Sequence, residues 1–320
     1  MLTYRRIIPG VTDLIQSLGK VSDLWLDPRH PLRVETIQAL QVSTGFGPRQ
    51  IEMALTNCFE ELRESHIRIL GARHQGPFHS VLHVLPANVF TSWVHGAVIS
   101  LLLGLRCLLK PSMREPVFAF AWKKSIQEVN PELSSRIDIL TWDEAKKTAI
   151  QAVVAYGSDE TLRAIRGLFP KEIRFAGFGH KLSVGILFKE ALSEASSADL
   201  LEQIRLAAEP FQLRGCLSPQ ILYVEKPDSS LEGKLRSIVN PAPRVKPFAV
   251  WSDVRAELAK IKPHLSCVGF AGNAERDNFL ERELAEHEGI RICPIGKMQR
   301  PPLSWKNGGI DLPNLLDFEA

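Results

Sequence analysis

Between about residues 80 and 180 the chain alternates short apolar runs with longer amphipathic ones, and few folds accept that rhythm. Residues 81–85, 106–109, 137–140, 152–156 and 174–178 read as strands, short and bounded by turn residues. Between them, 93–103 reads as an apolar helix with Gly104 at its C-cap, 115–129 as a helix stopped by Asn130-Pro131, and the stretch from Ser158 to Leu168 as a third. Strands separated by helices of about 10–15 residues predict an α/β fold with a doubly wound parallel sheet.

After Lys181 the rhythm restarts. Strands are expected near 183–187, 221–224, 248–251, 267–270 and 290–293, and helices over 198–208, 231–238, 254–261 and 275–287. A chain of 320 residues suits two packed lobes better than one small core. The first ~45 residues read as an irregular lead-in punctuated by Pro28, Pro31 and Gly45, ahead of a helix carrying Ile51, Leu55, Cys58 and Leu62. The tail, 301–320, is expected to pack back on the body, and no internal repeat is visible.

Several function classes fit poorly. The formal charge is +3, and the basic residues do not interleave with aromatics along one stripe, which argues against a nucleic-acid surface. The longest apolar stretch, 97–105, is broken by Gly104 and is about half the ~20 residues a membrane helix needs. No apolar signal region develops after Met1. Five cysteines without a CxxC pair, and nine scattered histidines, support neither a metal site nor a disulfide framework. A reducing, cytoplasmic setting is expected.

Ligands of open α/β sheets sit beyond the carboxyl ends of the strands. Pro86-Ala87-Asn88, Lys110-Pro111-Ser112, Gly157-Ser158 and Gly177-Phe178-Gly179 each close a strand. Any one of them is an ordinary turn; four in succession point to a site. Gly157 lets backbone approach a phosphate, and Ser158 opens a helix whose N–H groups can face an anion. Lys110 is a cation suited to a ribose or ribose phosphate, and Asn88 is a neutral donor suited to an oxyanion. No GxGxxG follows the first strand, so the usual dinucleotide fingerprint is missing. Cys216, in Arg214-Gly215-Cys216-Leu217-Ser218-Pro219-Gln220, stands in a turn, where a nearby cation would favour the thiolate. On position alone it is either a nucleophile or a structural thiol. The other four cysteines read as small core residues.

Pro86-Ala87-Asn88-Val89-Phe90, Leu108-Leu109-Lys110-Pro111-Ser112, Gly157-Ser158, Phe178-Gly179-His180-Lys181 and Gly215-Cys216 occur in the order found in the aldehyde dehydrogenase superfamily. RGCLSPQ and IRICPIGKMQRPPLSW resemble its acyl-CoA reductase branch, the fatty acid reductases of bacterial luminescence. The resemblance runs from about residue 80 to 310. It implies two three-layer α/β lobes with mostly parallel sheets and an active site in the cleft between them. A nicotinamide-cofactor lobe would span 1–181, a catalytic lobe carrying Cys216 would span 182–300, and the tail would span 301–320.

The resemblance also implies a mechanism. Cys216 attacks an acyl thioester, of CoA or of a carrier, and hydride from NADPH, or alternatively NADH, reduces the acyl-enzyme to an aldehyde. Asn88 matches the oxyanion asparagine, Lys110 and Ser112 the ribose-binding segment, and Gly157 and Ser158 the pyrophosphate helix. Pro86, Gly177, Phe178 and Gly179 complete the expected cofactor set. Gly177 stands where hydrolytic relatives carry a water-activating glutamate, which suits a reductase. Met113 replaces a carboxylate that would repel a 2′-phosphate. His180 either assists proton transfer or is a surface residue. An acyl-transferring protein is a conceivable partner. The region after Cys216 looks shortened, so the usual oligomer of the superfamily is not assumed. Two alternatives stand beside this reading: an acyl-phosphate reductase, and a non-catalytic homologue that binds an acyl carrier or partner.

Overall fold

A computed structural model describes residues 11–70, 79–192, 197–227, 231–284 and 289–318. The chain divides into two compact units. The first is Met1–Gly179 with Pro302–Ser304 and Ile310–Ala320; the second is His180–Pro301 with Trp305–Gly309.

The first unit opens with four helices, α1 (Val11–Leu26), α2 (Pro31–Thr44), α3 (Pro48–Glu60) and α4 (Glu64–Leu70). The expected irregular lead-in is therefore helical from Val11. Its proline and glycine are helix punctuation rather than loop residues. Pro31 occupies the first turn of α2, where its missing N–H is no loss, and Gly45 caps that helix at φ 74°, donating to the Gln41 carbonyl. Leu18, Val21 and Trp25 fall on one buried face of α1. Trp25 stacks on Phe59 with centroids 5.4 Å apart, and its Nε1 donates to Ser125 Oγ at 2.9 Å.

The chain then runs β1 (Ser80–Val84), α5 (Val94–Leu102), β2 (Arg106–Lys110), α6 (Val117–Val129), α7 (Pro131–Ser134), β3 (Ile137–Ile139), α8 (Trp142–Lys147), β4 (Ala152–Tyr156), α9 (Asp159–Arg166) and β5 (Arg174–Phe178). The strands pair in parallel in the order β3-β2-β1-β4-β5. Strand β1 is central, which is why all five of its residues are buried. From the tail, a short helix, Leu312–Leu315, packs on α5 and β5. Arg174 anchors it, donating to the carbonyls of Leu315 and Asp317 at 2.8 and 2.7 Å.

The second unit runs β6 (Leu182–Leu187), α10 (Ser197–Ala208), β7 (Pro219–Glu225), α11 (Leu231–Ile238), β8 (Arg244–Phe248), α12 (Trp251–Ile261), β9 (Leu265–Ala271), α13 (Ala274–Leu284) and β10 (Arg291–Pro294). Its sheet is also parallel, in the order β10-β9-β6-β7-β8. The first strand is central, the second and third lie to one side, and the fourth and fifth to the other. That is the order of the first sheet too, so the two units share a topology that no sequence repeat betrays. One face packs Val184, Ile186 and Val268 against α12 and α13; the other packs Leu187, Leu222 and Val224 against α10 and α11. The strand expected at 248–251 is corrected: β8 ends at Phe248 and Trp251 already begins α12. The apolar run there straddles a strand end and a helix start. Of the helix expected over 275–287, residues 285–287 lie outside the described residues. Among the described residues no helix is long and apolar enough to cross a membrane.

Candidate active site

Because the first sheet is parallel, the turns after its strands gather on one edge. Strand β1 leads into buried Pro86 and exposed Asn88. Strand β2 ends at Lys110, whose Nζ donates to the Pro111 carbonyl at 2.5 Å and lies 5.1 Å from the Trp142 ring centroid. Burial pushes the Lys110 pKa down. Ser112 accepts the Arg114 N–H at 3.2 Å. Beyond β4, the Gly157 N–H reaches the Phe178 carbonyl at 3.2 Å, and Ser158 caps α9 by accepting the Thr161 N–H at 3.2 Å. Phe178, at the end of β5, stacks on Tyr156 at 4.9 Å. Strand order reverses between β1 and β4, so the Asn88 turn and the Gly157-Ser158 turn flank the switch point where such sheets bind ligands.

One feature of this edge was not legible in the sequence. Gly177 and Gly179 have a packing reason: a Cβ on Gly177 would lie 2.9 Å from Phe175 and 3.2 Å from Leu162, and one on Gly179 would collide with Asp159. Both glycines let α9 close on β5. The first turn of α9 also carries two carboxylates, Asp159 and Glu160, on the helix end that attracts anions.

Cys216 belongs to the second unit, at the amino edge of its sheet. The loop between α10 and β7 places Gln212 and Leu213 at φ 50° and 60°, the left-handed region that bulky side chains avoid. Ser218 N–H closes a turn onto the Gly215 carbonyl at 3.0 Å, with Cys216 inside it. Ser183 Oγ, on β6, donates to the Cys216 carbonyl at 2.6 Å. Gln299 Nε2 donates to the Ala207 carbonyl at 2.6 Å and to Ser218 Oγ at 3.0 Å. Arg291 steadies the segment bearing Gln299 by donating to the carbonyls of Lys297, Met298 and Arg300. The motif IRICPIGKMQR is thus a brace for the cysteine turn.

Cys216 is half-buried, whereas the other four thiols are buried. Burial raises its thiol pKa above the ordinary value; the Ser266 hydroxyl, its own backbone N–H and the Lys181 ammonium act in the opposite direction. The cation that acts on it is Lys181, whose Nζ also donates to the Pro263 carbonyl at 2.7 Å. Arg214, two residues before the thiol, is exposed and turns to Gln212 Oε1. His180 is exposed beside Lys181. Sequence reading missed Lys181, Ser183, Gln220, Ser266 and Gln299 as parts of this site; only the Gly-His-Lys string carried any signal for the first. Cys267 and Cys293 pair in the core with sulfurs 3.7 Å apart. Among the described residues, no group of three or more His, Cys, Asp or Glu could hold a metal ion.

Comparison with known proteins bears on the whole arrangement. The profile of the acyl-CoA reductase (LuxC) family matches residues 9–238, more than two thirds of the chain. A long-chain acyl-protein thioester reductase of Vibrio harveyi is 24% identical over 244 residues, covering 67% of this chain and 50% of that protein. Long-chain acyl-protein thioester reductase 2 of Photobacterium leiognathi is 24% identical over 152 residues, covering 44% of this chain and 31% of that protein. The chain thus spans about half the length, or less, of these curated relatives. The crystal structure of an NAD-dependent aldehyde dehydrogenase from Sinorhizobium meliloti superposes with a TM-score of 0.65 at 12% identity, over 89% of this chain and 74% of that one. At that identity the likeness is one of fold, and the two parallel α/β units agree with it. The chain belongs to the acyl-CoA reductase (LuxC) family.

Proposed function

We propose that the chain carries the reduction of an acyl thioester to an aldehyde with NAD(P)H, through an acyl-enzyme on Cys216. The observation that carries this reading is the setting of Cys216: a half-buried thiol in a braced, strained turn, with Ser183 on its carbonyl, within a family of acyl reductases. Cys216 Sγ attacks the thioester carbonyl, the new S–C bond forms as the bond to CoA or carrier sulfur breaks, and that sulfur leaves to take a proton from solvent. Asn88 is the side-chain donor proposed for the oxyanion. Hydride addition to the carbonyl carbon of the acyl-enzyme would give a thiohemiacetal oxyanion; as its C=O bond re-forms, the C–S bond breaks, the aldehyde leaves and Cys216 is restored as the thiolate.

Pro86, Lys110, Ser112, Gly157, Ser158, Phe178 and Gly179 are the residues proposed to hold the dinucleotide, on the edge where the strand order reverses. Bound there, a reduced nicotinamide supplies the hydride. Both NAD- and NADP-named proteins share this fold. Met113, 95% exposed, sets no carboxylate beside the Lys110-Pro111-Ser112 turn, so a 2′-phosphate would meet no repulsion from it. Packing at 177 leaves little room for the hydrolytic glutamate, since even a Cβ there would press on the Phe175 and Leu162 side chains, which favours reduction over hydrolysis.

One observation favours a second reading, a homologue that binds an acyl carrier without turnover: burial biases the Cys216 thiol towards its protonated form. NADPH absorbance separates the two. Acyl-CoA and acyl-carrier thioesters of several chain lengths should each be tested, with NADH in parallel. Consumption that disappears in Cys216→Ala is expected. No consumption with any donor and either nucleotide would sink the reductase reading.

A further inference from the structure

The amino ends of β7, β6 and β9 meet around Cys216, and both strand registers that join them break there. Leu182 pairs with Leu265 but Ser183 pairs with Cys267, which leaves Ser266 as an extra residue in β9. Ser183 pairs with Pro219 but Val184 pairs with Ile221, which leaves Gln220 extra in β7. Bulges of this kind re-aim a side chain and are frequent beside active sites. Gln220 is accounted for, since its side chain holds the Leu213 carbonyl. Ser183 is accounted for by the Cys216 carbonyl.

Ser266 has no such structural duty. It is wholly buried, and among the described residues its Oγ has no hydrogen-bond partner. Folding penalises a buried hydroxyl left in that state. The next residue in β9, Cys267, pairs with Ser183, whose hydroxyl holds the Cys216 carbonyl, so the bulge sets Ser266 beside the Cys216 turn, where a hydroxyl favours the thiolate.

We propose that Ser266 is the hydrogen-bond donor to the Cys216 sulfur that holds it as the attacking thiolate. This rests on the acyl-enzyme reading above. A thiol is a weak acceptor and a thiolate a strong, charge-assisted one. The Ser266 O–H therefore strengthens its bond whenever Cys216 carries negative charge. That happens twice in a turnover: as the sulfur attacks the thioester, and as it departs from the thiohemiacetal carbon. In the acyl-enzyme between, the sulfur is neutral and the bond is weak. The hydroxyl stays protonated throughout and only redirects its hydrogen bond.

The test is the pH profile of iodoacetamide alkylation, read on the Cys216 peptide by mass spectrometry, in wild type, Ser266→Ala and Ser266→Thr. Loss of the hydroxyl should move the Ser266→Ala profile to higher pH. Alkylation at pH 7 should slow about three- to ten-fold with an unchanged alkaline plateau. Ser266→Thr should follow wild type. Removing an unsatisfied buried hydroxyl should leave the melting temperature unchanged or raise it. A Ser266→Ala profile that superimposes on wild type, an equal slowing at every pH, or a clearly lowered melting temperature would each overturn the inference. Acylation of Cys216 by dodecanoyl-CoA, measured on the same wild-type protein, keeps the two claims apart. A shifted profile without acylation removes the acyl-enzyme reading alone. Acylation with an unmoved profile removes the Ser266 role alone.

Discussion

Gln220 Nε2 donates to the Leu213 carbonyl oxygen at 2.5 Å, across the turn that carries Cys216. Gln220 is the bulged residue of β7, and Leu213 is one of two adjacent residues held in the left-handed region. A bulge thus supplies the bond that fixes a strained loop, and the loop fixes the thiol. Left-handed backbone at a leucine persists only where its surroundings impose it.

Gln220→Ala should release that loop. The lost bond is worth about 1 kcal/mol, a melting shift of about 1–2 °C in a protein of this size. Acyl-thioester reduction should fall well beyond that loss, with faster hydrogen exchange confined to 211–216. A variant that matches wild type in turnover would show that the loop does not set the position of Cys216.

Gly177→Glu should destabilise the protein rather than turn it towards hydrolysis. Its side chain must displace Phe175 or Leu162, an overpacking that costs about 1–3 kcal/mol. Thermal melting checks the first part, and an assay for carboxylate release checks the second.

His83, buried at the centre of the first sheet, should make the protein acid-labile. Burial pushes its pKa down to about 3. The unfolded chain binds this proton near pH 6.5 and the folded chain does not, so the contribution of this group is intact above pH 6.5 and falls as pH drops towards 3. Between pH 8 and 4.5 the loss is about 2–3 kcal/mol. Urea unfolding at those two pH values should show a gap between them that is smaller by about that amount in His83→Gln. An equal gap in both proteins would contradict the buried neutral imidazole.

Glu160→Gln should tighten the dinucleotide. Glu160 is exposed in the first turn of α9, where its charge opposes a bound pyrophosphate. Removing it is worth about 0.3–1 kcal/mol at low salt, a two- to five-fold lower Kd for NADPH by fluorescence titration. Weaker binding would place the pyrophosphate elsewhere.

The alternation of apolar runs with helical ones made most strands of both sheets readable, because buried parallel strands are nearly continuous apolar runs. Helices α1 and α2 were not readable as such. Pro31 and Gly45 look like loop residues until their places at a helix start and a helix end are seen. The duplicated topology was invisible because strand order depends on pairing, which leaves no local trace. The turns at Asn88, Lys110 and Gly157 were legible as strand-end residues. Lys181, Ser183 and Ser266 were not, since what brings them to Cys216 is the register of three strands and two bulges. Ser266 in particular reads as one more small residue in a buried strand.

The central claim is the acyl-enzyme, and its most direct measurement is the mass of the Cys216 peptide after incubation with dodecanoyl-CoA in the absence of reduced nicotinamide. The account predicts a dodecanoyl adduct on Cys216. Neutral hydroxylamine should remove it, NADPH should discharge it as the aldehyde, and Cys216→Ala should lack it. NADPH-dependent aldehyde formation with Cys216 unmodified, or an adduct confined to another thiol, would contradict it.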